Sequence, residues 1–153
     1  MKKLLVLALV AMVSATGFGK TIDEVFNAFP KADNVQEMTM DKEMLAIAMS
    51  MGADQSMSKS LKDIDAIRIV SIENPTAEQL LIAKELMKDG VDGFDEMVDV
   101  SEEGEDVLVL TQGDGKMINK LLVISVEEDE VGIALIEGKI DVENADKIIH
   151  LGK

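Results

Sequence analysis

Apolar residues recur along the chain with two periods, and the alternation between them lays out the fold. Thr21 with Glu24 three residues later is a capping-box pattern, and Ile22, Val25, Phe26 and Phe29 follow at helical spacing. Residues 22–29 are therefore predicted as a short helix that Pro30 ends. Val35 to Met40 reads as a strand, after which Asp41 caps a second helix carrying Met44, Leu45, Ala48 and Met49 on one face. Residues 50–60, with Gly52 and several serines, read as a loop. Ala66 to Ile72 is β-branched and apolar on both parities except at Arg68 and Ser71, as suits a strand buried on much of both faces.

Pro75 in a first helical turn, Thr76 with Gln79, and Leu80, Ala83 and Met87 at spacings of three and four predict a third helix, closed by Gly90. Four strand-like segments follow: Phe94 to Val100, Val107 to Thr111, Met117 to Val126 and Val131 to Ile140. Two acidic turns and Gly113-Asp114-Gly115, a hairpin signal, separate them into a meander. Asp141 caps a final helix on which Val142, Ala145, Ile148 and Ile149 form the apolar side, with Gly152 beyond it. The expected fold is α+β: a mixed, mostly antiparallel sheet of five to six strands with three to four helices packed mainly on one face.

In the last two strands both parities are apolar: Leu122, Ile124 and Val126 against Leu121 and Val123, then Ile133 and Leu135 against Ala134 and Ile136. The second sheet face must also be covered, by helices from both ends of the chain or by another protein. A protein partner or a homodimer contact is expected there.

The start of the chain has a different logic. Lys2 and Lys3 precede ten uninterrupted apolar residues, Leu4 to Val13, and Val13-Ser14-Ala15 supplies tolerable residues around a cleavage point. This is the layout of a secretory signal peptide. The apolar run is about half of the roughly 20 residues needed to cross a bilayer. Residues 1–15 are thus expected to be removed near Ala15, leaving 16–153 as a single domain in the periplasm or outside the cell. With no cysteine there is no lipid attachment point at the junction, hence no membrane anchor, and no disulfide. Stability must come from the core.

The 153 residues carry a formal charge of −15, and loss of Lys2 and Lys3 with the signal lowers it to −17. Such a surface repels phosphate backbones and anionic lipid heads, so nucleic acid and membrane surfaces are poor partners. The acid is concentrated in runs at Glu102 to Asp106 and Glu127 to Glu130, which read as solvated turns. Neither has the alternating ligands and central glycine of an EF-hand loop, and Asp89-Gly90-Val91-Asp92-Gly93 fails the spacing too, reading as a helix end and a turn.

Gly19-Lys20-Thr21 resembles the end of a phosphate-binding loop, but Ser14 stands where the motif needs its first glycine. Met38, Met40, Met44, Met49, Met51 and Met57 fall within twenty residues, and "MTM" and "MSM" resemble methionine-rich copper sites, where soft thioethers suit Cu(I). The competing role is flexible filler for a core or an adaptable interface in a chain with only four aromatics. His150, the single histidine, lies in the last turn of the final predicted helix, where the dipole suits an imidazolium. The 30 carboxylates show no spacing that marks a buried pair. No residue is assigned a catalytic, cofactor-binding or metal-binding role.

The stretches "VQEMTMDKEML", "IDAIRIVSIE", "DVLVLTQGDGKMINKLLVISVEEDE" and "IALIEGKIDVENADKI" together resemble the domain-of-unknown-function family 4252, over Thr21 to Leu151. The turn glycine of "EGKID" is the most recognisable piece. The resemblance implies an envelope protein, exported or lipoprotein-anchored, with no assigned activity. Members are sometimes encoded beside sigma and anti-sigma factors, which implies envelope signalling. This chain departs from the anchored members in lacking the lipobox cysteine. The leading expectation is an exported, soluble, non-enzymatic interaction module that uses no cofactor. A periplasmic Cu(I)-binding protein and an undetected hydrolase are the alternatives.

Overall fold

The computed structural model describes residues 20–52, 62–114 and 116–141. Its elements are α1 (Ile22–Phe26), β1 (Val35–Asp41), α2 (Lys42–Ser50), β2 (Ile64–Glu73), α3 (Ala77–Asp89), β3 (Asp95–Glu102), β4 (Glu105–Gly113), β5 (Met117–Val126) and β6 (Glu130–Asp141). The six strands form one sheet in the order β1-β2-β6-β5-β4-β3.

The meander is present as expected, and both acidic runs lie at its hairpin turns. The sheet is not mixed: among the described residues every strand-to-strand pairing is antiparallel. The reason lies in the connection after β2. Its chain passes through α3 to the far edge of the sheet, and the meander then walks back until β6 meets β2 antiparallel.

Three helices are described, on two faces. On the first face, Val25 and Phe26 of α1 and Ala83 and Leu86 of α3 pack with Val70, Ile72, Leu108, Leu110, Leu122, Ile124, Val126, Val131, Ile133 and Leu135. On the second, Leu45 of α2 joins Ile64, Val109, Ile118, Leu121, Ile136 and Ile140. The double apolar parity of β5 and β6 is therefore satisfied by two separate cores. The predicted final helix lies outside the described residues.

The first core is fastened at its margins. Thr76 caps α3 rather than preceding it inside a turn begun by Pro75: its hydroxyl accepts from the Gln79 N–H at 3.2 Å, while the Gln79 side-chain oxygen accepts from the Thr76 N–H at 2.9 Å. Gln79 is buried, and its amide exchanges two hydrogen bonds with the Asn34 amide at 2.8 and 3.1 Å. Asn34 also donates to the Glu73 carbonyl at 3.2 Å. The Gln79–Asn34 pair thus joins the start of α3 to β1 and β2, and among the described residues no buried side-chain polar atom lacks a partner. Across the sheet, the Arg68 guanidinium sits 4.3 Å over the Phe26 ring and 3.5 Å from Asp23, holding α1 to β2.

Two sequence expectations change at the chain's bends. The first helix stops at Phe26, with Phe29 still buried in the first core through the following turn. The glycine of "EGKID" marks a bulge inside β6, not a turn. Gly138 has φ +155°, β6 gains a residue against β5 beside it, the register with β2 also shifts there, and the Lys139 N–H donates to the Asp63 carbonyl at 2.9 Å. A Cβ here would collide with the backbone of Asp63 and Ile64. In the β4–β5 turn, Asp114 accepts from the N–H groups of Met117 at 2.9 Å and Lys116 at 3.1 Å, which lowers its pKa from the ordinary carboxylate value.

Gly138→Ala should cost about 2 kcal/mol or more, because it adds a backbone clash to an unfavourable φ. Gly104 also has positive φ but open space around its Cα, so Gly104→Ala should cost less; paired urea titrations check the order.

Candidate interaction surface

The sequence places Met44, Leu45, Ala48 and Met49 on one face of the second helix, and the structure divides that face. Asp41 caps α2 as expected, accepting from the Met44 N–H at 2.9 Å. The helix lies on the second sheet face over β1 and β2, with Leu45 buried and Met49 half-buried. Met44 and Ala48 turn outward, and Ile47 and Met51 extend them into a stripe. Met44 is 48% exposed, Ile47 58% and Met51 81%. Spacings of three and four keep these residues on one side over two helical turns, a length of about 10 Å.

The arrangement continues onto the sheet. Met38, 48% exposed, and Met40, packed against the Leu45 core, share the second face of edge strand β1. From Met38 a single apolar row crosses all six strands through Ile69, Ala134, Val123, Val109 and Val98. The next row in one direction is Gln36, Ser71, Gly132 and Ser125, with Val107 and Val100 at its far end. The apolar row thus borders on small and polar positions.

The methionine cluster singled out in the sequence is therefore dispersed by role. Met40 packs against the second core under the helix, Met49 is half-buried, and Met38, Met44 and Met51 present thioethers to solvent. Met57 and His150 lie outside the described residues, as does the apolar leader Leu4 to Val13. The Gly19-Lys20-Thr21 resemblance has a structural role in its described part: Thr21 caps α1 by accepting from the Glu24 N–H at 3.2 Å, and the Lys20 backbone bridges to Val91.

A shallow groove of about 280 Å³ lies at the other end of the sheet, lined by Leu80, Lys84, Val126 and the carboxylates of the two acidic turns. Ser101 donates to Asp106 beside it. Among the described residues no carboxylate is buried, and no three His, Cys, Asp or Glu side chains converge as metal ligands. No described helix is long and apolar enough to cross a membrane.

The fold and this surface define an α+β protein with a two-sided antiparallel sheet. The chain belongs to the family described as Domain of unknown function (DUF4252), which it matches over residues 26–148. The match runs from the end of α1 past the end of β6 and bears out the resemblance carried by the quoted stretches. No curated protein and no solved structure matches the chain.

The two sides of α2 should respond oppositely to mutation. Leu45→Ala should lower stability by about 2–4 kcal/mol through loss of a buried side chain, whereas Ile47→Lys should change it by no more than about 0.5 kcal/mol. Urea denaturation of both variants tests the division; equal losses would mean that the stripe is packed.

Proposed function

We propose that the chain is an exported, soluble, non-enzymatic interaction module of the cell envelope, which engages a protein through the outward side of α2. The observation that carries this reading is the stripe of Met44, Ile47 and Met51, bare on a helix that a short chain has otherwise used to cover its sheet. Large apolar side chains grouped on one exposed helix face are characteristic of binding surfaces. Methionine suits such a surface, because its unbranched thioether repacks against partners of different shape. Export is supported by the leader layout of residues 1–15, and a place in envelope signalling by the family resemblance.

Photo-crosslinking in the native envelope tests the reading. A photoreactive amino acid at position 47 should give a discrete protein adduct, and the same group at Leu81, exposed on α3 away from the stripe, should give none. The mass of the adduct distinguishes a second copy from another protein. Crosslinks of equal yield at both positions, or none at 47, would refute the assignment.

The exposed thioethers of Met38, Met44 and Met51 favour a second reading, a periplasmic Cu(I) carrier. Competition titration with Cu(I) separates the two. The interaction reading predicts no binding tighter than micromolar; tighter binding that Met44→Ile and Met51→Ile abolish together would establish the copper reading instead.

A further inference from the structure

The occupant of the α2 surface can be narrowed by charge. The charged side chains of α2 and its cap are Asp41, Lys42 and Glu43; Lys42 is engaged by Asp65 at 3.4 Å, and Glu37 of β1, paired with Val70, lies on the other sheet face. Glu43 precedes Ile47 by one helical turn and so stands at the border of the stripe. The segment that carries the apolar stripe is therefore anionic, on a chain whose net charge is −15. A second copy would bring two strongly acidic bodies together, with Glu43 at the border of each stripe, and like charges across an interface oppose association. A cationic partner is instead drawn in by the field of the whole molecule.

The shape of the surface narrows the partner further. Anchors at 44, 47 and 51, two turns long, are complementary to a helix that offers its own apolar side chains at spacings of three and four. A flat apolar partner would not need this stripe geometry, and an extended strand would pair with a sheet edge through its backbone. We propose that the outward stripe of α2, with Met38 on the same side of the sheet, is the seat of a cationic amphipathic helix. The inference rests on the interaction reading given above and specifies the chemistry of the partner at that site.

The test uses the full-length chain with methyl-labelled methionine and two synthetic helical peptides of about 18 residues, one of leucine and lysine at amphipathic spacing and one with glutamate in place of lysine. The lysine peptide should bind, shifting the methyl signals of Met38, Met44 and Met51 while leaving Met87, Met97 and Met117 in place. The glutamate peptide should not bind. Ile47→Lys should weaken binding of the lysine peptide at least about tenfold, as loss of an interface anchor does. Met51→Lys, at the most exposed stripe position, serves as an independent variant should the first fold poorly.

Absence of binding, equal affinity for the glutamate peptide, or affinity unchanged in both variants would overturn the proposal. So would shifts centred on Met87, Met97 or Met117, which would indicate nonspecific attraction to acidic surface. A protein adduct at position 47 combined with no binding of the lysine peptide would remove the cationic helix and leave the interaction surface standing. Absence of both would remove the two together.

Discussion

The structure depends on a sheet whose central strands cannot leave either face in water. In β2, β6 and β5, backbone groups are consumed by the ladders while side chains on both parities are apolar, so folding is favoured only where both faces are covered. Leu122, Ile124, Ile133 and Leu135 look to one side and Leu121, Ile136 and Ile140 to the other, and all are buried. Each such side chain contributes on the order of 1.5–3 kcal/mol when buried. The helices take their positions from this requirement. With no disulfide among the means available, the two cores supply the cohesion.

The two faces are closed differently. The first receives α1 and α3 and is secured by directional contacts, with Arg68 over Phe26 and the Gln79 amide bridging Asn34 and Thr76. The second receives α2 over its β1 and β2 side, with one fully buried side chain from that helix, Leu45. A helix held mainly by a single leucine has its other apolar residues to spare, and these form the outward stripe. The proposed binding surface thus arises from an asymmetry of packing between the two faces.

Much of this was legible in the residues. Thr76 with Gln79 specified the start of α3, Asp41 that of α2, and the hairpin at Gly113-Asp114 the end of β4, because each signal is local and acts through hydrogen bonds within three or four residues. Strand pairing was less legible. Whether β6 meets β2 parallel or antiparallel depends on how the chain crosses the sheet after α3, a non-local choice that periodicity does not encode. Gly138 looked like a turn because a bulge and a turn ask for the same backbone freedom. On α2 the apolar arc runs most of the way round the helix, from Ile47 through Met44 to Met49, so the pattern alone could not say which part the sheet would take. The stripe became visible only once Leu45 was placed.

On this packing the sheet is the cooperative unit, and α2 is a lightly held cover with its outer side exposed. Native-state hydrogen exchange tests this most directly. The amides of β2, β5 and β6 should exchange only through global unfolding, while those of α2 should open at clearly lower free energy. Protection of α2 equal to that of β6 would contradict the account, since a helix so held would be packed on more than its Leu45 side.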